Sequence, residues 1–250
     1  MAAQAHLSSI DAQDSALTHG LKARQSEHID HRQVRNIIRA ERFAERAGRP
    51  LNFFVTINLG HTACEADNAS KVFERLRDNH YTKWLRDIAR RRDQPSWLPA
   101  FYVWSIEDKP GHPNIHWLIH KPVGLRSLFE SKLHVWLERL AGPLNNSQTP
   151  ILIKPATTPT GVAKYLSKGI NPRYAKLFRI NPIPQGIIKG KRAGISAALG
   201  PAAIAHATII NLAIEVRGPQ SATAGPTPHH LDAVNPGTKA PWRKTGSAAE

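Results

Sequence analysis

Sulphur-containing residues are almost absent from this chain of 250 residues, which has one cysteine and one methionine. The lone Cys64 excludes an internal disulfide and any zinc site built from several cysteines, and such scarcity is typical of proteins in a reducing compartment. The first residues also lack the apolar run of a secretory signal, because Gln4, Asp11 and Asp14 interrupt them. We therefore expect a cytoplasmic protein.

Acidic residues are scarce relative to basic ones. The chain has 19 Asp and Glu against 34 Lys and Arg, a formal net charge of +15 and an isoelectric point near 10.4. Such a charge favours a polyanionic partner, because phosphates that a protein neutralises release their counterions. Ribosomal, architectural and membrane-surface proteins are also basic, so the charge indicates nucleic acid without selecting an activity.

Charged side chains are missing altogether from residues 193–214. This stretch has the length of a membrane span, but Gly200, Pro201 and His206 dilute its apolar content. We predict a buried helix or a disordered alanine-rich segment here, with a membrane span as the alternative, and we expect no membrane partner. From about residue 218 the chain is rich in Pro, Gly, Ala, Ser and Thr, which predicts a disordered C-terminal tail.

Arginines recur at steps of three and four residues in a helix predicted from Asp30 to Arg49. This spacing places them on one helix face. The first five, called the arginine stripe below, are Arg32, Arg35, Arg39, Arg42 and Arg46. We predict that the stripe contacts DNA phosphates, because like charges in one line repel each other unless an anion lies against them. The alternative is a solvated helix face, partly compensated by Glu41 and Glu45.

The middle of the chain alternates between two apolar periods. A period of two predicts strands, and a period near 3.6 predicts helices. The predicted strands are 51–58, 100–107, 114–120 and 150–154, and the predicted helices are 67–91, 125–141 and 159–168. The order β-α-β-β-α-β is that of ferredoxin-like and RRM-like sheets, in which two helices cover one face of an antiparallel sheet. We therefore expect an α+β fold of this kind with helices on one face.

The predicted fold divides the chain into three parts. A mobile arm at 1–26 and the basic N-terminal helix form the first part, residues 1–49. The core domain spans 50–200. The alanine-rich segment and the disordered tail make up 201–250.

Side chains suited to metal binding cluster in the segment 113–120, which reads PNIHWLIH. Because side chains alternate along a strand, Asn114, His116 and His120 share one face while the intervening Ile and Trp residues face a core. Glu107 closes the preceding strand of the predicted hairpin and can lie across from Asn114. The segment therefore indicates a site of imidazole, carboxylate and amide groups, of which His120 is the most remote.

A tyrosine and a lysine share one face of the last predicted core helix. Tyr165 and Lys168 are three residues apart. Tyrosine is a weak nucleophile at its ordinary pKa near 10, so a nucleophilic role requires a cation or a metal that stabilises the phenolate. The alternative interpretation of Tyr165 is a half-buried aromatic on an amphipathic helix.

Three motifs, in this order along the chain, resemble those of the HUH endonucleases, the superfamily of rolling-circle replication initiators and relaxases, and in particular the single-tyrosine replication proteins of plasmids and phages. They are the apolar strand at 52–58, the histidine strand at 111–116 and the tyrosine helix at 162–168. The segment 184–201 is similar to sequences that follow the tyrosine helix in some bacterial members. The chain departs from the family at Asn114, where the family has its first histidine.

The resemblance implies that Tyr165 attacks a phosphodiester of single-stranded or hairpin DNA, with Lys168 as its cationic helper. It implies Mg²⁺ or Mn²⁺ as the cofactor. The implied metal ligands are His116, Glu107 and Asn114, with His112 as a substitute. The product would be a 5′-phosphotyrosyl adduct with a free 3′-OH that primes DNA synthesis, and a host helicase is an expected partner. Two basic residues after the tyrosine helix are predicted to contact the DNA, Lys191 and Arg192.

Three alternatives stay open. An HUH-like protein with Asn114 can have lost cleavage and kept DNA binding. The aromatics Phe101, Tyr102, Trp104 and Trp117 alternate on adjacent strands, and any that lie on an open sheet face could stack on bases, as in a non-enzymatic RRM-like module. A structural chromatin-like protein would account for the charge, but not for the histidine strand or the tyrosine helix.

Overall fold

The computed structural model of the chain describes residues 24–109, 111–145 and 147–217, and the fold is α+β. The C-terminal tail expected from residue 218 lies outside the described residues. So does most of the expected N-terminal arm.

The centre of the fold is an antiparallel sheet of five strands in the spatial order β5-β2-β4-β3-β7. Its strands are β2 (Phe53–Asn58), β3 (Tyr102–Lys109), β4 (His112–Ile119), β5 (Ile151–Pro155) and β7 (Ala193–Ile195). A separate ladder pairs β1 (Gln25–Ser26) with β6 (Ile188–Lys189). All four strands predicted from the period of two are present, because that period marks residues that alternate between the sheet's two faces.

Helices lie on both faces of the sheet. They are α1 (His31–Arg46), α2 (Ala69–Arg75), α3 (Lys83–Arg91), α4 (Arg126–Ala141), α5 (Pro159–Leu166), α6 (Pro172–Phe178) and α7 (Pro201–Arg217). A π-helical segment, Leu76–Thr82, joins α2 to α3. The helix predicted over 67–91 therefore changes its hydrogen-bond pattern in the middle.

The first face of the sheet carries the larger apolar core. Trp104, Ile115 and Trp117 pack there with Phe73 of α2 and Phe129 of α4. Burial of an aromatic side chain contributes about 2 to 3 kcal/mol. The prediction that Ile115 and Trp117 face a core is confirmed.

The second face of the sheet is covered in part by α1 and α5, which corrects the prediction that helices cover one face only. Val34 and Ile37 of α1 share an apolar cluster with Leu118 of β4 and with Ala163 and Leu166 of α5. The reason lies in α1, where apolar residues recur at helical spacing between the arginines and are buried. The sheet is therefore a middle layer between two sets of helices.

Helix α1 begins at a capping box. The Asp30 carboxylate accepts a hydrogen bond from the Arg32 N–H at 2.7 Å, and the Gln33 side chain accepts one from the Asp30 N–H at 3.1 Å. The arginine stripe is exposed along this helix. Arg49 lies beyond the helix end and donates to the carbonyl oxygen of Trp97 at 2.7 Å, so it is not part of the exposed stripe.

Residues 24–26 are ordered, which corrects the expected extent of the mobile arm. Gln25 and Ser26 pair with β6, and the Arg192 side chain contacts this two-stranded ladder. Arg192 is 2% exposed, and its guanidinium donates to the carbonyl oxygens of Ser26 at 2.7 Å and Gln185 at 3.3 Å. This burial contradicts the prediction that Arg192 contacts DNA.

The uncharged stretch at 193–214 forms β7, a short turn and most of α7. β7 pairs with β3 along Val103–Ser105. The side chains of α7 that are described, up to Ile209, are exposed or half-buried, so the predicted buried helix is a surface helix over this part. Among the described residues, no helix combines the length and the apolar character needed to cross a bilayer.

Candidate active site

Strand β4 carries His116 onto the second face of the sheet, where its side chain is buried. In the sheet register it lies between Thr56 of β2 and Ser105 of β3. Its Nδ1 is 3.4 Å from the Thr56 hydroxyl, and the Phe54 ring stacks on the imidazole with 5.7 Å between centroids. Thr56 and Phe54 hold the His116 ring in an orientation in which its Nε2 contacts the Glu107 carboxylate.

The carboxylate of Glu107 lies between a histidine and a lysine. Its Oε1 is 2.9 Å from Nε2 of His116, and its Oε2 is 2.6 Å from Nζ of Lys168. Burial raises the pKa of this carboxyl, but the contacts with His116 and Lys168 outweigh burial and lower the pKa of Glu107 to about 2. Glu107 is therefore ionised at neutral pH and can hold a cation beside it.

Lys168 lies in the turn after α5, which ends at Leu166, two residues earlier than predicted. Its N–H donates to the Tyr165 carbonyl oxygen at 3.1 Å, and its own carbonyl accepts the Ile183 N–H at 2.8 Å. Burial lowers the pKa of the ammonium, but the contacts with Glu107 and Tyr165 outweigh burial, and the pKa of Lys168 is raised. Lys168 is a positioned cation at neutral pH.

Tyr165 is the accessible member of the group, with 43% of its surface exposed. Its ring meets the His116 imidazole edge-on, with 5.2 Å between centroids, and the Phe54 ring at 6.0 Å. The Nζ atom of Lys168 lies 4.0 Å from the Tyr165 ring centroid. The structure thus brings together the predicted tyrosine, lysine, glutamate and histidine, with the tyrosine facing solvent and the charged groups behind it.

The local sequence explains the short length of α5. Pro159 occupies its first turn, where a missing N–H costs no hydrogen bond. Thr158 stands at the predicted N-cap but makes no side-chain capping bond. Ser167 is fully buried and donates from its hydroxyl to the Ala163 carbonyl oxygen at 2.9 Å. Helix α5 ends at Leu166, so Tyr165 lies in its last turn.

Asn114 pairs with Glu107 across the β3–β4 hairpin, as predicted, and with Asn58 of β2 on its other side. Its amide Nδ2 donates to the His112 carbonyl oxygen at 3.0 Å. The His112 side chain is exposed and packs against Gly60, where its Nδ1 is 2.5 Å from the position that a β carbon would take. The backbone register therefore brings Asn114 beside Glu107, while its side chain bonds to the end of the hairpin.

His116 and Glu107 supply nitrogen and oxygen donors of the kind that Mn²⁺ and Mg²⁺ accept. In the structure Nε2 of His116 is paired with Oε1 of Glu107 at 2.9 Å, and Oε2 of Glu107 is paired with Nζ of Lys168 at 2.6 Å. A bound metal ion would have to replace one or both of these contacts. No group of three His, Cys, Asp or Glu side chains suited to a metal occurs among the described residues. A metal held by these two side chains would therefore need further ligands, from Asn114 or from the substrate.

The remaining predicted residues have other surroundings. His120 lies beyond β4, its Nδ1 is 2.8 Å from the Pro50 carbonyl oxygen, and burial lowers the pKa of its imidazole. Lys191 is exposed, and its Nζ lies 5.9 Å from the Trp104 ring centroid. Lys191 and the arginine stripe are accessible to a polyanion.

The aromatics considered for base stacking are all buried, with 6% of their surface exposed at most. They are Phe101, Tyr102, Trp104 and Trp117. The RRM-like alternative therefore lacks the open aromatic face on which it depends. Phe54 and Thr56 are neighbours of His116 that were not predicted from the sequence. Both alternate with the buried Val55 along β2, and this alternation places them on the face of the sheet that carries His116.

No protein-family model matches the chain, and no curated protein matches it. What points to a function is the geometry of one group of side chains. An exposed Tyr165 lies in front of the half-buried Lys168 and the buried Glu107 and His116.

Proposed function

We propose that the protein is a replication-initiator-like HUH endonuclease that nicks and joins single-stranded DNA with the help of a divalent metal. One observation carries the proposal. The exposed Tyr165 lies against Lys168, which Glu107 in turn joins to His116. A tyrosine in contact with a positioned ammonium has the cation that a phenolate nucleophile requires.

In the proposed reaction, the phenolic oxygen of Tyr165 attacks the phosphorus of one phosphodiester. The new O–P bond forms as the bond to the 3′ oxygen breaks, the phenolic proton passes to solvent, and the leaving 3′ oxygen takes up a proton. The products are a 5′-phosphotyrosyl adduct and a free 3′-OH. Attack of a 3′-OH on the adduct reverses the step and joins two strands.

Lys168 stabilises negative charge in this reaction and does not transfer a proton. Its raised pKa keeps it protonated at neutral pH, and Glu107 holds the ammonium beside the tyrosine. A fixed positive charge in a partly buried site stabilises a developing phenolate and the charge on a pentacovalent phosphate without reorganising.

The proposed metal site consists of His116 and Glu107, with Asn114 as the further donor. A bound Mg²⁺ or Mn²⁺ would supply Lewis acidity to the non-bridging phosphate oxygens. Nε2 of His116 and Oε1 of Glu107 lie 2.9 Å apart, so both side chains would be within reach of one cation once their direct contact is released.

The arrangement of the sheet supports the family proposal. Strands β2, β3, β4 and β5 follow one another as β-α-β-β-α-β, and their spatial order β5-β2-β4-β3 agrees with a ferredoxin-like sheet. The partner would be single-stranded or hairpin DNA, with stem phosphates on the arginine stripe and Lys191. A cytoplasmic setting and a host helicase partner belong to the same proposal.

A second candidate function is DNA binding without cleavage. The observation that favours it is the Lys168 contact, because the ammonium already neutralises the carboxylate that a metal would use. Asn114 also favours DNA binding without cleavage, since an amide oxygen is a weaker metal ligand than an imidazole and carries no charge.

The decisive experiment is incubation of the full chain with labelled single-stranded oligonucleotides and Mn²⁺, followed by denaturing electrophoresis. A covalent protein–DNA adduct should form with the wild type and with Tyr174→Phe, the matched control, and not with Tyr165→Phe. Adducts of equal yield with Tyr165→Phe would disprove the nucleophile assignment. Metal-independent binding without any adduct would favour the second candidate function.

A further inference from the structure

A groove of about 480 Å³ lies on the helices that cover the first face of the sheet. Its walls come from the π-helical segment, α3 and α4. The Tyr165 group lies on the second face, so the sheet separates the groove from the candidate active site. The proposed reaction leaves this groove without a role.

Aromatic rings form the inner surface of the groove. Trp84 of α3 meets Trp136 of α4 edge-on with 5.7 Å between centroids, and His80 lies 5.9 Å from Trp136. Trp84 and His80 are half-buried, whereas Trp136 is 7% exposed. Burial and the nearby Arg139 and Lys83 lower the pKa of His80, so its ring is neutral at neutral pH. These rings give the groove an aromatic lining.

Cations surround the aromatic surface. Lys83, Arg91 and Lys132 line the groove, and none of them forms an ion pair with another of the described residues. Asp87 is the carboxylate among the lining residues, and Arg90 binds it at 2.8 Å. The groove therefore has an uncompensated positive rim.

The helix beside the groove has an unusual backbone. The segment Leu76–Thr82 is π-helical, a form that is rare and often occurs at functional sites. The Thr82 hydroxyl donates to the Arg77 carbonyl oxygen, five residues earlier in this segment, at 2.9 Å. This segment contributes Asn79 and His80 to the groove wall.

We propose that this groove is a second binding site for single-stranded nucleic acid, in which a base stacks on the Trp84 and His80 rings and the flanking phosphates contact Lys83, Arg91 and Lys132. Rings with a cationic rim suit a ligand that alternates flat bases with negative charges, and stacking of this kind tolerates any base sequence. An acidic peptide would use the rim but not the rings. The site does not depend on the proposed cleavage, because it shares no residue with the Tyr165 group.

The test uses the full chain carrying Tyr165→Phe, so that no covalent adduct interferes, and a fluorescent oligo(dT) strand. Lys83→Glu/Lys132→Glu places negative charge on the groove rim. Arg86→Glu/Arg92→Glu is the matched control, because it makes the same change in net charge at exposed positions that do not line the groove. The groove variant should bind at least tenfold more weakly than the control, and its log–log salt slope should be smaller by about 1.4, for two phosphates.

Photocross-linking with 5-iodouracil strands provides an independent measurement. Cross-links are expected in the tryptic peptides that contain His80, Trp84 or Trp136. Equal affinities of the two double variants, or cross-links only around Tyr165, would overturn the proposal. Displacement of the oligo(dT) strand by polyglutamate of equal charge would also overturn the proposal, because it would assign the groove to an acidic peptide.

Discussion

The hydroxyl of Thr160 donates a hydrogen bond of 3.1 Å to Oε1 of Glu41, and this bond connects α5, the tyrosine helix, to α1, the helix of the arginine stripe. Glu41 is 2% exposed, and its Oε2 has no hydrogen-bond partner among the described residues. Burial raises the pKa of Glu41, as does the nearby Glu45, against the opposing effects of Thr160 and Arg42. The contact between the two helices thus contains a carboxyl group that is costly to ionise.

Glu41→Gln should stabilise the protein at neutral pH. Because the pKa of Glu41 is raised on folding, its contribution to stability is full at low pH and is lost as the pH rises through the folded-state value. Glutamine keeps an acceptor for Thr160 and removes the buried charge, which should increase the free energy of unfolding by about 1 kcal/mol at pH 7. Denaturant unfolding at pH 7 and pH 4 measures this, with Glu138→Gln, at an exposed position on α4, as the control. A gain of equal size at both pH values would contradict the explanation.

Glu107→Gln should have the opposite dependence on pH. The pKa of Glu107 is lowered to about 2, so its stabilising effect is present above the unfolded-state value and is lost as the pH falls from about 5 towards 2. Wild-type protein should therefore lose up to about 3 kcal/mol of stability across this range through Glu107. The variant should show a flatter profile of unfolding free energy against pH. Identical profiles would show that the contacts of Glu107 with His116 and Lys168 contribute no net stability.

Asn114→His should strengthen metal binding at the proposed site. Imidazole is a better ligand for Mn²⁺ than an amide oxygen, and residue 114 pairs with Glu107 in the hairpin register. Calorimetric titration should show an increase in Mn²⁺ affinity of about tenfold, in the range found when the surroundings of a metal ligand change, and adduct formation should increase with it. Asn36→His on α1 serves as the matched control. Unchanged affinity would place any bound ion away from Asn114.

Loss of three arginines from the stripe should weaken DNA binding in a salt-dependent way. The triple variant Arg35→Ala/Arg39→Ala/Arg42→Ala should flatten the log–log salt slope for a stem-bearing substrate by about two to three units, because each phosphate contact contributes about 0.9. Adduct formation with a short oligonucleotide should change little, since phosphate contacts position the duplex without doing the chemistry. Anisotropy titrations across a salt series measure the slope. A slope equal to that of the wild type would leave the stripe as a solvated helix face.

The sequence predicted the elements of the fold better than the contacts between distant elements. Glu107 and Asn114 pair in a hairpin whose two strands are adjacent in the sequence. The alternation of apolar residues and the position of one turn were therefore enough to predict this pairing. The same alternation placed His116 on the correct strand face. The apolar residues of α1, such as Val34 and Ile37, also recur at helical spacing. Because arginines lie between them, the sequence was interpreted as a surface helix rather than as one packed on the sheet.

The features that could not be predicted from the sequence depend on contacts between residues that are far apart in the chain. Arg192 resembles its exposed neighbour Lys191 in the sequence, and its burial depends on carbonyl groups of Ser26, 166 residues earlier in the chain. The contact of Lys168 with Glu107 likewise depends on how the turn after α5 meets β3. No local period contains this information, because it depends on how separate elements pack together.

The two outer strands of the sheet limit how copies of this protein can associate. An outer strand presents unpaired N–H and C=O groups that another chain can extend. On one side the outermost strand is β7, which has three residues, and on the other it is β5, which has five, with exposed Lys154 before a proline that lacks an N–H. Strand pairing between two copies would therefore join only a few residues on either side of the described sheet, which disfavours growth into a continuous sheet.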